Sequence, residues 1–184
     1  MNKLYIKRKD LNIESLYDMR DESSPYEDSK IAGSDKGPAK KEKETRSSKR
    51  KISVIPNHYP EICKSLLNMI SIWDSTLNPE DFYVKEFNYL KYGKGDHFTR
   101  HMDHLRINGK PDPKGRVFST STIISKSDDL QGGDFIIWDQ HNAEHKISLD
   151  VGETIFFSSL TDHQVRKVIQ GNREVLVAWI YKRT

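Results

Sequence analysis

At 184 residues, with 35% hydrophobic residues, three Trp, eight Tyr and seven Phe, the chain is long enough for one domain with a sizeable core. Its formal charge of +3 is unevenly spread: residues 1–51 hold 14 Lys/Arg against 10 Asp/Glu, whereas residues 52–184 hold 16 against 17. A near-neutral body offers no general basic face for nucleic acid, one cysteine (Cys63) excludes an intrachain disulfide and Cys-based zinc sites, and no apolar run approaches the ~20 residues of a membrane span.

Taken in order, Met1–Arg8 lacks the apolar core of a secretory signal, and Leu4-Tyr5-Ile6 is a candidate short strand returning to the body. From Asp18 to Lys51 the chain is rich in Ser, Gly, Lys, Asp and Glu, a composition that buries too little apolar surface to offset ordering entropy. Residues 1–51 are therefore expected to form a polar, basic, largely disordered segment, with Lys40–Lys51 a solvated basic run. The expected setting is intracellular and soluble, in a reducing compartment.

Residues 59–73 place Ile62, Leu66, Met69, Ile70 and Trp73 on one helical face, with Pro60 in the first turn. A support helix packed on a sheet is the reading, with Cys63 a buried structural thiol rather than a nucleophile. Beyond Pro79 come short β-prone runs: 82–92, 98–103, 117–125, 134–138, 145–149, 154–158, 164–169 and 173–181. Turn chemistry separates them, at Lys94-Gly95-Asp96, residues 108–115, Gln131-Gly132-Gly133, Asp150-Val151-Gly152 and Gly171-Asn172. Regularly spaced strands point to a sandwich or barrel, and the expected fold is mainly β with supporting helices, a double-stranded β-helix or jelly roll.

The strand 173–181 carries Val175, Val177, Trp179 and Tyr181 on one face and Leu176, Ala178 and Ile180 on the other, so it should lie centrally. Arg173 shares the parity of Val175 and Val177, and a guanidinium buried there needs an anion unless it sits at the rim in water.

His101-Met102-Asp103 lies in a strand-like run, where period 2 puts His101 and Asp103 on one side. A third donor would come from His58, His97, His104, His141, His145 or His163, and His163 stands out between two strand-like runs. Two His and one carboxylate leave three adjacent positions open on an octahedral metal, an arrangement suited to non-haem Fe(II) and O₂ chemistry.

The ordered set Tyr92-x-x-Gly95-x-x-Phe98-x-x-His101-x-Asp103, Arg116-Val117-Phe118-Ser119-Thr120, Gly132-Gly133-Asp134-Phe135, Val151-Gly152-Glu153-Thr154-Ile155-Phe156-Phe157 and His163-x-Val165-x-x-Val168-x-x-Gly171-x-Arg173, closing with Trp179, resembles the Fe(II)- and 2-oxoglutarate-dependent dioxygenases. The branch it is most similar to is the prolyl 4-hydroxylase-like catalytic domain. The match covers roughly residues 80–184 and implies a catalytic domain over 52–184.

The resemblance implies Fe(II) on His101, Asp103 and His163, 2-oxoglutarate anchored by Arg173, and ascorbate as a candidate reductant. Arg offers the distal carboxylate a bidentate fork. An ordinary hairpin at Gly171-Asn172 would set His163 about seven residues, or roughly 23 Å, along the ladder from Arg173, too far for a five-carbon ligand. The connection is therefore expected to cross between facing sheets.

Two departures stand out: Phe98 and Ile123-Ile124 occupy places where many relatives carry Tyr and Tyr-Leu. Tyr92 becomes the favoured phenol for 2-oxoglutarate, with Ser119, Thr120 or Thr122 as weaker alternatives and a purely packing role for Tyr92 equally open. The implied reaction is hydroxylation of an unactivated C–H bond, with a prolyl residue in a peptide or protein as the favoured substrate and residues 104–115 as a mobile rim that could close over it. A free amino acid or small metabolite, an alkylated nucleic-acid base, and a non-catalytic binding module are the alternatives. Nucleic acid is disfavoured because no second downstream Arg typical of base-demethylating relatives follows Arg173.

Overall fold

A computed structural model of the chain describes residues 3–21, 25, 27–28, 46–53, 58–104, 106–107, 110–112 and 114–183. In chain order these form β1 (Ile6–Arg8), α1 (Ile13–Asp21), β2 (Glu27–Asp28), β3 (Arg46–Ser47), β4 (Lys49–Ser53), α2 (Pro60–Trp73), β5 (Phe82–Tyr92), β6 (His97–His101), β7 (Arg106–Ile107), β8 (Lys110–Pro111) and β9 (Arg116–Lys126). There follow β10 (Gln131–Gly132), β11 (Phe135–Trp138), β12 (Glu144–Ile147), β13 (Thr154–Ser158), β14 (His163–Val165), β15 (Val168–Gln170) and β16 (Arg173–Lys182).

Among the described residues the major sheet runs β1-β13-β9-β16-β5-β4-β2 and the minor sheet β12-β11-β14-β6-β3, with antiparallel pairing throughout. This is the expected jelly roll. The most apolar strand, β16, is central in the major sheet, as a strand buried on both faces must be.

Its two faces feed two cores. Leu176, Ala178 and Ile180 join Leu66, Met69 and Ile70 of α2, and Leu16 and Met19 of α1, on the outside of the major sheet. Val175 joins Ile123, Ile155, Phe157, Phe135 and Val165 in the space between the sheets. The amphipathic stripe of α2 is as predicted, and Trp73 closes it against Phe118 and Phe156, with ring centroids 6.0 and 5.8 Å away. Cys63 is part-buried on the same helix, and burial pushes its thiol up to about 11, consistent with an inert side chain.

The segment 1–51 is not uniformly separate from the body. β1 pairs with β13, Ile6 opposite Phe156, two residues along from the strand expected at Leu4-Tyr5-Ile6. α1 buries Leu16 and Met19 completely, and the Tyr89 hydroxyl donates to the Leu16 carbonyl at 2.6 Å. β3 pairs with β6, and β4 pairs with β5. Composition hides this because α1 needs only a narrow apolar stripe in an otherwise charged helix. Residues 29–45, with most of the expected disordered stretch, lie outside the described residues. No helix among the described residues is long and apolar enough to cross a membrane.

One predicted strand divides. The run expected at 164–169 becomes β14 in the minor sheet and β15 paired with β10, with Arg166-Lys167 between them. Here the chain changes partners: the Gly133 amide donates to the Lys167 carbonyl at 3.2 Å and the Val168 amide to the Asp96 carbonyl at 2.9 Å. Gly132 permits this approach, with φ +71 and a position where a Cβ would collide with the Lys167 carbonyl. β16 then continues in the major sheet, so the connection from His163 to Arg173 crosses between sheets rather than closing a hairpin.

Truncating the fully buried Ile70 to Ala should cost about 2–5 kcal/mol, the usual range for emptying such a site. Urea unfolding checks it, and a loss well under ~1 kcal/mol would show that α2 is not packed as described.

Candidate metal centre

β6 and β14 are neighbours in the minor sheet, with His101 opposite His163. Pairing therefore brings two imidazoles together, and their ring centroids are 4.2 Å apart. Asp103 is not on the strand, which ends at His101, yet it follows closely enough to reach both rings. Its Oδ1 is 3.6 Å from His101 Nε2 and its Oδ2 is 3.5 Å from His163 Nε2. One donor atom from each residue lies within 4.8 Å of the others, so the three could hold a metal ion.

The protonation of this trio follows from its neighbours. His101 Nδ1 is 2.7 Å from the Thr99 carbonyl and His163 Nδ1 is 3.0 Å from the Thr161 carbonyl. A carbonyl only accepts, so each Nδ1 carries a proton, and each Nε2 is turned to the centre. Burial pushes His163 down to about 4, outweighing the attraction of Asp103 for its charged form. Burial alone would raise Asp103, but His163, His101 and Arg116 hold its carboxyl far below the ordinary range. At neutral pH a buried carboxylate thus faces a neutral His163, and converging lone pairs of this kind fit a cation.

Aromatic rings fix both imidazoles. Phe98 stacks on His101, centroids 3.6 Å apart and planes 20° from parallel, while Phe157 meets His163 edge-on at 4.8 Å. The ring of Phe98 thus clamps a donor.

Arg173 lines the same cavity, 4% exposed, on the first residue of β16 opposite Tyr92 of β5. It donates through Nη1 to the Gly133 carbonyl, whereas its Nε is buried without a hydrogen-bond partner. No carboxylate among the described residues forms an ion pair with it, and burial lowers its pKa. An unpaired buried guanidinium is costly, so this cavity suits an anionic ligand at the Arg173 end and a cation at the His-Asp-His end.

Tyr92 also lines the cavity, 1% exposed, with its ring centroid 6.0 Å from the Arg173 guanidinium carbon. Of the weaker alternatives, Thr120 reaches the cavity, but its hydroxyl donates to the Ala178 carbonyl at 3.2 Å. Ser119 and Thr122 are engaged elsewhere, with the Ser159 and Thr154 hydroxyls at 2.8 and 2.7 Å. Ser121 lines the cavity and was missed, although it shares the parity of Ile123, which faces the space between the sheets.

The other histidines are not in the donor group. His145 pairs with Asp139 at 2.9 Å on the surface, His141 and His58 are exposed, and the Nδ1 atoms of His97 and His104 face the Gly95 and Arg116 carbonyls. Within the stretch expected as a rim, 104–115, β7 and β8 pair as a short hairpin.

The family described as the 2OG-Fe(II) oxygenase superfamily matches residues 87–181. A PKHD-type hydroxylase of Prochlorococcus marinus (strain MIT 9515) is 33% identical over 141 residues, covering 74% of this chain and 62% of its own length. A PKHD-type hydroxylase of Shewanella baltica (strain OS155) is 31% identical over 103 residues, covering 55% and 44%. The chain thus spans less than two thirds of the length of these relatives. Among solved structures, a Pseudomonas putida prolyl-4-hydroxylase superposes with a TM-score of 0.66 at 16% identity, covering 98% of this chain and 94% of the other. The viral collagen prolyl hydroxylase vCPH from Paramecium Bursaria Chlorella virus-1 gives 0.70 at 15% identity, covering 99% and 97%. At these identities the likeness is one of fold.

The depressed His163 pKa carries a sign. Unfolded, the imidazole titrates near its ordinary 6.5; folded, at about 4, so between these values only the unfolded chain takes up the proton. The metal-free protein should lose stability as pH falls from 6.5 towards 4, with Asp103 adding a further loss below its ordinary 3.8. NMR titration of the His163 ring in metal-free protein checks this. Protonation at or above pH ~6.5 would contradict it.

Proposed function

The chain belongs to the 2OG-Fe(II) oxygenase superfamily, and on that premise we propose that it is a dioxygenase using Fe(II) and 2-oxoglutarate to hydroxylate an unactivated C–H bond, with a prolyl residue of a peptide or protein as the substrate. The observation that carries the reading is the pairing, in one cavity, of the His101-Asp103-His163 donor group with the buried Arg173, whose Nε has no hydrogen-bond partner among the described residues. Two ends of opposite electrostatic demand are what a metal-chelating dicarboxylate needs.

In this reading His101, Asp103 and His163 hold the iron through the two Nε2 atoms and the carboxylate. Arg173 receives the distal carboxylate of 2-oxoglutarate, and Tyr92 flanks it from β5. When bound, the iron supplies the oxidation, coupled to decarboxylation of 2-oxoglutarate. The chain's own residues bind, orient and exclude water: Leu90, Phe135, Phe157, Val165 and Val175 line the cavity with apolar surface, which strengthens the Arg173–carboxylate attraction. Arg173, directly opposite Tyr92, keeps its charge because its pKa starts far above neutrality.

The prolyl class is supported by the names of the fold neighbours, which include a prolyl hydroxylase in complex with a hypoxia inducible factor peptide fragment from Trichoplax adhaerens. Incubation with Fe(II), 2-oxoglutarate and ascorbate over proline-containing peptides should yield succinate and a peptide heavier by one oxygen. Succinate formed only with free amino acids, small metabolites or alkylated bases would overturn the peptide assignment, and no succinate with any substrate would overturn the enzyme.

Two substitutions separate the roles. Asp103→Ala should abolish turnover and metal binding while circular dichroism stays native; persistent turnover would refute the ligand assignment. Arg173→Ala should raise the 2-oxoglutarate requirement about 10–100-fold, equivalent to ~1.5–3 kcal/mol for a charge-assisted hydrogen bond, with metal affinity kept. An unchanged KM for 2-oxoglutarate would remove Arg173 from the site.

A further inference from the structure

Asp103 stands two residues past the end of β6, so the ladder that fixes His101 and His163 does not fix it. A short side chain can hold its position against two imidazoles only if its backbone is anchored. The anchors come mainly from Arg116, the first residue of β9. Its Nη1 donates to the Asp103 carbonyl at 3.3 Å, and its own carbonyl accepts from His104 Nδ1 at 2.6 Å. A third bond runs from the His104 amide to the Ser159 carbonyl at 2.9 Å.

The Arg116 guanidinium is itself held from several sides. Its central carbon is 3.6 Å from the Trp179 ring centroid, its Nε donates to the Tyr181 hydroxyl at 3.3 Å, and its Nη2 is 3.8 Å from Glu86 Oε1. The side chain is 12% exposed. A planar fork can stack on an indole and serve several acceptors at once, which an ammonium cannot.

We propose that Arg116 is a positioning residue: by holding the Asp103 carbonyl with its guanidinium and the His104 imidazole with its own carbonyl, it presents the Asp103 carboxylate to His101 and His163. Glu86, Trp179 and Tyr181, from β5 and β16, act through it by holding the guanidinium. Trp179 also lines the cavity, so one stack links the cavity wall to a donor of the metal site. The inference rests on the ligand reading proposed above.

The test is Mn(II) binding to the full chain, read by electron paramagnetic resonance of the free ion, with circular dichroism and thermal unfolding of the metal-free forms alongside. Arg116→Gln should weaken Mn(II) about 10–100-fold, the usual effect of removing a group that orients a ligand, with a native dichroism spectrum. Wild-type affinity in folded Arg116→Gln overturns the proposal. If that variant does not fold, Arg116→Lys, which keeps the charge but not the fork, decides by the same criterion: weakened binding supports the role and wild-type affinity overturns it. Asp103→Ala separates the two levels. Undiminished Mn(II) binding there overturns the ligand reading and this inference together, whereas loss there with full binding in Arg116→Gln overturns only the positioning role.

Discussion

Everything in the molecule's interior defers to one electrostatic problem: a carboxylate and two imidazole Nε2 atoms turned inward, in a place that burial makes hostile to charge. The carbonyls of Thr99 and Thr161 create it, by holding the Nδ1 protons on the outer side of each ring. Phe98 and Phe157 keep the rings from turning away from it. A hydrophobic core of this kind would normally exclude such a group, and its place there is intelligible in a site that could hold a cation.

The architecture solves a second problem, that of distance. His163 and Arg173 are ten residues apart, and a hairpin would have separated them along a ladder. Passage through the β10–β15 pair, with Gly132 allowing the backbones to meet, returns the chain to the opposite sheet so that both side chains face one cavity. The same two-sheet arrangement makes β16 serve two cores at once, with α2 on one face and the cavity on the other.

Much of this was legible in the sequence because it rests on periodicity and on residue chemistry. The α2 stripe, the full extents of β5 and β13, the central position of β16 and the singular Arg173 all follow from which side chains tolerate burial. The gathering of His101, Asp103 and His163 was available only through resemblance, since 60 residues separate His163 from Asp103 and no local rule joins them. What stayed hidden has a common cause, tertiary context overriding local pattern. The partner change between β14 and β15 breaks a run that reads as one strand, and α1 docks with two buried residues in a charged segment. Arg116 reads locally as an ordinary charge opening a strand, and its grip on Asp103 and its stack on Trp179 exist only once β6, β9 and β16 are assembled.

β1 has a bearing on how the protein behaves in a crowded solution. Without it, β13 would be the outer strand of the major sheet, a row of bare amides and carbonyls flanked by Ile155, Phe156 and Phe157. Such an edge is a template for another chain. Three residues of the polar leader cover it, and two of them, Lys7 and Arg8, place cations along the new border. The segment that composition would discard as a tail therefore covers an edge of the sheet, and a cut at residue 51 would bare β13 as the outer strand.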